Sequence, residues 1–233
     1  MDTVSSKKIR MAIFDVAGTT AQDGGLVVDA FQSAMESMGT ALGTPEMERM
    51  TEYVNATMGE RKIDVFMHLC DGNTERANTA HDRFIESYIS LVNAGKLQEF
   101  EGITNLFDQL RESGVAVAIT TGFPRDILQT IIDALKWAPH IDFSVASSEV
   151  AMGRPAPDMI IRAIELYNKG YTANIAAEDT AVIGDTEADI KAGVSAGASI
   201  VAGVTSGAHN AEQLLRAGAT HILIGAVQLL NIC

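Results

Sequence analysis

The stretch MAIFDVAGTT, from Met11 to Thr20, decides the fold of this chain. Its first four residues are apolar, Asp15 follows them, and Gly18-Thr19-Thr20 is a turn-forming sequence. A short apolar run bounded by turn residues predicts a buried strand over residues 11–15. An aspartate where such a strand ends can act as a carboxylate nucleophile, or it can simply cap the turn with its side chain.

The chain after residue 102 alternates between short apolar runs and amphipathic stretches. Strands are predicted at 115–120, 143–146, 180–184, 199–202 and 220–223, and helices at 103–113, 125–135, 157–168, 187–196 and 211–217, before a short terminal helix. Strands that alternate with helices in this way predict a parallel sheet with helices on both faces. The predicted fold class is therefore α/β, a doubly wound, Rossmann-like parallel sheet.

Residues 26–98 show helical spacing, and no strand pattern is seen among them. We therefore predict an all-helical insert at 26–98 and a core made of residues 1–25 and 99–233. Glycines near residues 23–25 and 99–102 suit hinges between the two parts. Methionines at positions 35, 38, 47, 50 and 67 predict packing within the insert, or a face through which a homodimer could form.

Ligands of parallel sheets bind beyond the carboxyl ends of the strands, so the residues just past each predicted strand are the candidates for a site. These residues are 15–20, Thr120-Thr121-Gly122, Ser147-Ser148 with Gly153-Arg154-Pro155, and 184–189. They would bring four carboxylates and one guanidinium to a single polar rim.

Three parts of this rim suit a metal ion and a phosphate group. Asp185 and Asp189 lie four apart at the start of a helix, so both carboxylates can face one side and hold Mg²⁺; helix capping by Asp185 is the alternative. Thr121 and Gly122 offer a hydroxyl and N–H groups to phosphate oxygens, or form an ordinary strand-to-helix turn. Arg154 can neutralise both a nucleophile and a phosphoryl group, or be a lone surface arginine.

The composition excludes several classes of protein. Of 233 residues, 30 are Asp or Glu and 17 are Lys or Arg, and this net charge of −13 disfavours binding to nucleic acid or to an anionic membrane surface. No apolar run approaches the roughly 18 residues of a membrane span, and the N-terminus lacks the apolar stretch of a secretory signal. Cys70 and Cys233 make neither a disulfide framework nor a zinc site. We expect a soluble, cytoplasmic protein.

The rim resembles the four motifs of the haloacid dehalogenase superfamily, whose members transfer phosphoryl groups through an aspartate nucleophile. The resemblance rests on residues 15–19, Thr121-Gly122, Arg154-Pro155 and Gly184-Asp185 with Asp189. The helical insert resembles the cap domain that these enzymes carry after the first strand. The resemblance therefore covers nearly the whole chain.

This resemblance implies a role for each residue of the rim. Asp15 would attack phosphorus, and Asp15, Asp185, Asp189 and the carbonyl of Ala17 would hold Mg²⁺. The residues implied to stabilise or bind the phosphoryl group are Gly18, Thr19, Thr121, Gly122 and Arg154. The implied substrate is a small anionic phosphate or phosphonate.

The alanine at position 17 reduces the range of substrates that we expect. Phosphatases of this superfamily carry a second aspartate at this place, which protonates the leaving alkoxide; general acid catalysis is worth roughly 10²–10⁴ in rate, and alanine donates no proton. The sequence DVAGTT, and arginine rather than lysine in Gly153-Arg154-Pro155, are similar to the phosphonoacetaldehyde hydrolase branch. In that branch a cap lysine forms a Schiff base with the aldehyde, so the carbon–phosphorus bond breaks without help from an acid.

Lys62 is the matching lysine in this chain. The segment MGERKID, residues 58–64, resembles the Met-Gly-x-x-Lys-Ile-Asp sequence of that branch, and Met58 and Arg61 would also bind substrate. Desolvation, or a neighbouring cation such as Arg61, would lower the pKa of Lys62, as Schiff-base chemistry requires. The alternatives are that Lys62 binds a second anionic group of the substrate, or that it is an ordinary surface lysine.

Four positions depart from the phosphonoacetaldehyde hydrolase pattern: Val65 replaces a histidine that assists proton transfer, Phe123 a tyrosine, Val16 a tryptophan and Gly25 a cysteine. The sequence predicts a Mg²⁺-dependent, phosphonatase-like hydrolase that acts on phosphonoacetaldehyde or a related carbonyl phosphonate. One alternative is a phosphate-monoester phosphatase in which Lys62 binds a substrate anion. The other is a catalytically silent binding protein, which the retained nucleophile and metal site disfavour.

Overall fold

The structure, a computed structural model, describes residues 9–171 and 174–232. Its strands are β1 (Met11–Phe14), β2 (Ala21–Gln22), β3 (Gln98–Glu99), β4 (Ala116–Thr121), β5 (Phe143–Ala146), β6 (Thr180–Gly184), β7 (Ile200–Val204) and β8 (His221–Leu223). Its α-helices are α1 (Leu26–Ser37), α2 (Pro45–Ala56), α3 (Lys62–Leu69), α4 (Thr74–Asn93), α5 (Ile103–Glu112), α6 (Arg125–Ala134), α7 (Asp158–Gly170), α8 (Glu187–Ala196) and α9 (Ala211–Ala217). Short 3₁₀ helices lie at Ser147–Glu149, Ala177–Asp179 and Ala226–Asn231.

The central sheet has the strand order β5-β4-β1-β6-β7-β8, and all of its neighbouring strands are parallel. Strand β1 lies in the middle, where Met11 pairs with Ala116 of β4 on one side and with Thr180 of β6 on the other. Helices cover both faces of this sheet. The predicted doubly wound α/β fold is therefore confirmed.

The side chains of β1 alternate between two apolar layers. Ala12 and Phe14 belong to the layer that includes α1, α5 and α6, whereas Met11 and Ile13 belong to the layer that includes α7 and α8. A strand buried on both faces is a continuous apolar run rather than an alternating one. This is why residues 11–14 could be predicted as a strand from their sequence.

Helices α1–α4, residues 26–93, form what we call the helical segment. Pro45 is the first residue of α2, and the Thr44 side chain caps the helix by accepting a hydrogen bond from the Met47 N–H. The interior contains an aromatic cluster in which Phe66 packs against both Phe31 and Phe84. The helical character of this segment is confirmed, and the division of the chain at residues 25/26 and 98/99 stays a prediction.

A two-stranded antiparallel ribbon joins the two ends of the helical segment. Ala21 of β2 lies opposite Glu99 of β3, and Gln22 opposite Gln98. No strand was predicted here, because a two-residue strand is too short to show an alternating pattern. The other boundaries lie within two residues of the prediction. The difference that matters most for the site is at β7, which ends at Val204 rather than at residue 202.

Within residues 9–171 and 174–232, no helix has the length and apolar character needed to cross a membrane. Cys70 is a buried free thiol. Cys233 and the first eight residues, on which the signal-sequence argument partly depends, lie outside the described residues.

Candidate active site

Part of the predicted rim lines a cavity of about 600 Å³ at the carboxyl ends of β1, β4 and β6. Asp15 lies just past β1, Thr121 ends β4, and Asp185 lies just past β6; all three line this cavity. The helical segment supplies further lining residues from the end of α2, the loop between α2 and α3 and the first position of α3: Asn55, Met58, Gly59 and Lys62. The sheet therefore presents Asp15, Thr121 and Asp185 at the edge where parallel sheets bind ligands.

Arg154 joins two carboxylates beside the cavity. Its side chain is buried, its Nη1 donates a hydrogen bond to Asp15 Oδ1, and the same Nη1 lies 2.6 Å from Asp189 Oδ1. Its Nη2 donates to the Thr120 hydroxyl over 2.6 Å. Burial alone would lower the pKa of Arg154, but the Asp189 and Asp15 carboxylates outweigh burial and raise that pKa. Arg154 is therefore a fixed positive charge beside Asp15 and not a surface arginine.

Asp15, Asp185 and Asp189 form a buried carboxylate cluster, in which one oxygen from each lies within 4.8 Å of the others. Burial raises the pKa of Asp15 to about 6, with Asp189 adding to this effect and Arg154 opposing it. Burial and the charges of Asp15 and Asp189 raise the pKa of Asp185 well above its ordinary value. Because three carboxylates share one guanidinium, the cluster carries an excess of negative charge when it is ionised.

This cluster fits a divalent metal ion. Asp189 Oδ1 is buried and, among the described residues, accepts no aligned hydrogen bond, although Arg154 is close to it. Asp185 is held in place by the Thr19 hydroxyl at 3.1 Å and by the Ala208 N–H at 2.7 Å. Buried carboxylate oxygens with unused lone pairs are the ligands that Mg²⁺ prefers. The structure brings the predicted magnesium ligands together, with Ala17 on the wall of the same cavity.

The loop after β7, residues 205–209, belongs to the site but was not predicted. The Ser206 hydroxyl donates to the Gly18 carbonyl over 2.7 Å, next to the contact between Ala208 and Asp185. A Cβ atom on Gly18 or Gly207 would overlap the Asp185 carboxylate, so only glycine fits at these two positions. A correct end for β7 would have pointed to this loop, because it lies past the carboxyl end of a central strand.

The residues predicted to bind a phosphoryl group lie in two different environments in the structure. Gly18, Thr121 and Gly122 line the cavity, whereas Thr19 is buried and donates its hydroxyl to Asp185. Thr121 Oγ1 accepts a hydrogen bond from the Phe123 N–H at 3.3 Å, which ties it to the turn before α6. Thr19 is thus in position to orient a carboxylate rather than to meet a ligand.

Lys62 reaches the cavity from the first position of α3. The residue is 6% exposed, and its Nζ donates to the Glu60 carbonyl over 3.4 Å and lies 5.8 Å from the centre of the Phe123 ring. Burial lowers the pKa of Lys62, and Arg154 adds to this effect, while Asp15, Asp23 and Glu60 oppose it. Lys62 is therefore a buried amine in the cavity wall and not a surface lysine.

Three residues near Lys62 in sequence, Arg61, Val65 and His68, are not among the described residues that line the cavity. Arg61 donates to the Ala151 carbonyl over 3.2 Å and is not among the described residues that line the cavity, so the cation that lowers the pKa of Lys62 is Arg154 rather than Arg61. Val65 is buried, and His68 is exposed and stacks on Tyr53 with ring centres 4.1 Å apart. His68 therefore does not replace the histidine that is missing at position 65.

Asp23, predicted only as part of a hinge, also lines the cavity. Its Oδ1 accepts a hydrogen bond from the Tyr88 hydroxyl at 3.1 Å, and its Oδ2 accepts one from the Val27 N–H at 3.2 Å. Burial raises the pKa of Asp23, although both hydrogen bonds and the charge of Lys62 oppose this effect. No motif marks this aspartate, because its place in the wall depends on how the chain enters α1.

Two curated relatives are similar to the chain over most of its length. The bifunctional phosphonoacetaldehyde hydrolase/aminoethylphosphonate transaminase of Clostridioides difficile (strain 630) is 26% identical over 214 residues, which cover 84% of this chain and 31% of that protein. The phosphonoacetaldehyde hydrolase of Bacteroides fragilis (strain YCH46) is 27% identical over 202 residues, which cover 82% of this chain and 74% of that protein. The chain thus spans less than a third of the bifunctional protein.

The fold is similar to that of a hydrolase from Pseudomonas syringae, with a TM-score of 0.79, 23% identity, and coverage of 96% of this chain and 97% of that one. The family model described as haloacid dehalogenase-like hydrolase matches residues 12–203, a range that includes the carboxylate cluster, Lys62 and Arg154. The chain therefore belongs to the haloacid dehalogenase-like hydrolases.

Proposed function

We propose that this hydrolase cleaves the carbon–phosphorus bond of phosphonoacetaldehyde, or of a related carbonyl phosphonate, with Asp15 as nucleophile and Lys62 as Schiff-base amine. One observation carries the proposal: a buried amine and a buried carboxylate, those of Lys62 and Asp15, line the same cavity. A carbonyl phosphonate has one group for each, an aldehyde carbon for the amine and a phosphorus atom for the carboxylate.

Asp15 is suited to attack phosphorus because Arg154 holds its Oδ1. Arg154 and the N–H groups of the turn at Thr121-Gly122, which precedes α6, supply positive charge and donors for the phosphoryl oxygens. In the attack, a carboxylate oxygen forms a bond to phosphorus while the bond from phosphorus to carbon breaks. Water then hydrolyses the acyl phosphate and releases Asp15.

Lys62 makes the carbon a good leaving group. The amine adds to the aldehyde carbon and expels water, which leaves an iminium next to the carbon–phosphorus bond. The electrons of that bond move into the iminium as it breaks, and the carbon leaves as an enamine that is still bound to Lys62. A proton added at carbon returns the enamine to an iminium, which water hydrolyses to the free aldehyde and the Lys62 amine. Ala17, which cannot donate a proton, is compatible with such a leaving group, whereas an alkoxide would need an acid worth roughly 10²–10⁴ in rate.

The burial of Lys62 supports this role, because only the neutral amine attacks a carbonyl. Desolvation favours the neutral amine and lowers its pKa. The Phe123 ring, with its centre 5.8 Å from Nζ, is part of the apolar surface that buries the amine. An ordinary surface lysine would be protonated almost completely at neutral pH.

Asp15, Asp185 and Asp189, with the Ala17 carbonyl, would hold Mg²⁺. When bound, the ion would neutralise charge on the cluster and on the phosphoryl oxygens. Thr19 and Ala208 keep Asp185 in position for this task. Gly18, Gly122 and Met58 line the cavity in which the substrate would bind. Arg61 instead joins the helical segment to the loop at Ala151 through its hydrogen bond.

The curated relatives support the same assignment, since two of them carry the name phosphonoacetaldehyde hydrolase at 26% and 27% identity. A second candidate is a phosphate-monoester phosphatase in which Lys62 binds an anion of the substrate. Val65 and Phe123 favour that candidate, because neither side chain transfers protons.

The two candidates are separated by trapping the imine. Incubation with phosphonoacetaldehyde and borohydride should reduce the iminium and leave a stable adduct on Lys62, visible by mass spectrometry of the peptide. Lys62→Arg should give no adduct and no phosphate, whereas Lys169→Arg, at an exposed lysine of α7, should behave as the wild type. Asp15→Asn should still form the adduct but release no phosphate, since imine formation precedes attack on phosphorus.

The absence of an adduct on wild-type Lys62, together with hydrolysis of a phosphate ester by Lys62→Arg, would make the chain a phosphatase. Phosphate release by Asp15→Asn would contradict the nucleophile in either candidate.

A further inference from the structure

A second pair of polar side chains, Asp23 and Tyr88, lies at the cavity that Lys62 enters. The Asp23 carboxylate lines the cavity together with Lys62, and the Tyr88 hydroxyl of α4 donates to it over 3.1 Å. Tyr88 is completely buried. A buried phenol hydroxyl requires a partner, so Tyr88 fixes the position of the Asp23 Oδ1 atom.

Phe123 connects this pair to Lys62. The Tyr88 ring packs on the Phe123 ring with centres 4.7 Å apart, and Lys62 Nζ lies 5.8 Å from the centre of the same ring. Phe123 has no hydroxyl of its own, but the Tyr88 ring that packs on it carries a hydroxyl, and that hydroxyl donates to Asp23. The Lys62 amine has the Glu60 carbonyl as its hydrogen-bond partner, and the Asp23 carboxylate from the loop before α1 acts on it through its charge.

Of the carboxylates that line the cavity, Asp23 is the one that lies outside the carboxylate cluster, and its charge acts on Lys62. Among the described lining residues, the titratable side chains are Asp15, Asp23, Lys62 and Asp185. Asp15 is bound by Arg154, and Asp185 is bound by Thr19 and Ala208. Burial raises the pKa of Asp23 and lowers that of Lys62, which reduces the cost of moving a proton between them.

We propose that Asp23 carries the protons for imine formation at Lys62 and that Tyr88 positions it. This inference rests on the proposed function, because it assigns a second group to the Schiff-base step. It gives the cavity a proton carrier although Val65 and Phe123 provide none.

The protons balance over one cycle of Asp23. The Asp23 carboxylate takes a proton from the Lys62 ammonium, and the neutral amine adds to the aldehyde carbon while the carbonyl oxygen receives that proton. Asp23 then takes a second proton from the nitrogen and donates it to the hydroxyl, which leaves as water as the carbon–nitrogen double bond forms. The products are one iminium, one water and Asp23 again as the carboxylate.

Asp23 also has a purely structural contact, because its Oδ2 accepts a hydrogen bond from the Val27 N–H at the start of α1. Asp23→Asn is the variant that separates the two roles. Asparagine keeps an acceptor for the Val27 N–H and a polar partner for Tyr88, but it carries no proton at neutral pH. Asp23→Glu restores the carboxylate, and Tyr88→Phe keeps the ring on Phe123 while removing the hydroxyl.

The experiment measures imine formation alone. Enzyme and a saturating concentration of phosphonoacetaldehyde are mixed rapidly, quenched with borohydride at increasing times, and the fraction of Lys62 converted to adduct is measured by mass spectrometry. Asp23→Asn should slow adduct formation roughly 10²-fold, within the usual range for a lost general acid–base. Asp23→Glu should recover part of the rate, and Tyr88→Phe should show a smaller loss than Asp23→Asn. Asp29→Asn, at an exposed aspartate of α1, should match the wild type.

The outcomes distinguish this inference from the proposed function. No adduct on wild-type Lys62 overturns the proposed function and the inference with it. Adduct formation at the wild-type rate in Asp23→Asn overturns the inference alone. If Asp23→Asn does not fold, Tyr88→Phe decides: a lower melting temperature with an unchanged rate at saturating aldehyde means that the Asp23–Tyr88 pair only supports the fold.

Discussion

At the scale of single residues, Lys62 shows how a function can oppose stability. The side chain is buried, and the charges that surround it do not fully offset the loss of water around the ammonium group. Its pKa in the folded protein therefore lies below its ordinary value of 10.5. Between these two pKa values the unfolded state binds more protons than the folded state, so stability rises with pH across that window.

We therefore expect Lys62→Met to raise the free energy of unfolding at pH 8, because it removes the cost of a buried charge. The gain should shrink as the pH rises towards 10.5, since the wild-type amine has then lost its proton in the folded state and no charge is buried. Urea unfolding at pH 8 and pH 10 measures this difference. Lys169→Met, at an exposed position, should show no such change with pH. A gain that is equal at both pH values would contradict a lowered pKa for Lys62.

Much of the candidate site could be predicted from single residues, because Asp15, Thr121, Arg154 and Asp185 follow strands whose ends bound the motifs. Other parts could not. The loop at 205–209 was not predicted, because the end of β7 was placed two residues too early. Asp23 was not predicted either, because its position in the cavity wall depends on the path of the chain into α1, which no residue spacing indicates. Arg61 was predicted from its neighbour in sequence, but adjacent residues at a helix start point in different directions.

At the scale of elements, the loop between α2 and α3 packs directly on the sheet edge. A Cβ atom on Gly59 would overlap the Thr186 hydroxyl, and a Cβ atom on Gly122 would overlap the Glu60 carbonyl. The Lys62 N–H donates to the Gly122 carbonyl over 3.3 Å at the same contact. The absence of side chains at these glycines is what lets Lys62 come within reach of the cavity.

Gly59→Ala should lower both stability and kcat/KM for the phosphonate more than Gly43→Ala does. Both glycines have positive φ values, 84° and 72°, so both substitutions incur a backbone strain of roughly 1–2 kcal/mol. The space beside Gly43 is open among the described residues, whereas Gly59 meets Thr186. The difference between the two variants in melting temperature and in kcat/KM reports the contact. Equal losses would show that strain alone matters.

The strands of the parallel sheet and most of the helices were predictable, because elements buried on one or both faces carry long apolar patterns. The ribbon of β2 and β3 was not, since its four residues depend on a partner that lies 76 or more positions away in the chain: Gln22 faces Gln98, a separation of 98 − 22 = 76. Pairing at such a distance is specified by the packing of the whole molecule rather than by local sequence.

At the scale of the whole molecule, a net charge of −13 contrasts with the need to bind an anion. The conflict is local to the cavity, where the described titratable lining residues are three aspartates and one lysine. Arg154 compensates part of this charge from behind Asp15. A divalent cation held by the carboxylate cluster would supply further positive charge for the proposed phosphonate.

Magnesium should therefore stabilise the protein and restore activity after EDTA treatment. At a concentration of about 100 times the dissociation constant, binding contributes about 2.7 kcal/mol, which raises the melting temperature by roughly 5–10 °C for a chain of this size. Asp185→Asn should lose this shift, whereas Asp126→Asn, at an exposed aspartate of α6, should retain it. Full activity in EDTA, or an equal shift in Asp185→Asn, would contradict a metal site in the carboxylate cluster.

The ribbon of β2 and β3 also has an evolutionary consequence. Because Gln22 lies opposite Gln98, the helical segment leaves and re-enters the rest of the chain at adjacent points. It is, in effect, a very long hairpin loop, and a two-residue Asn-Gly turn could close the same ribbon. The helical segment can therefore be gained, lost or exchanged as one unit in evolution without a change in the register of the parallel sheet. Lys62, the proposed Schiff-base lysine, is part of that segment, so a single recombination event would transfer the lysine together with the helices that surround it.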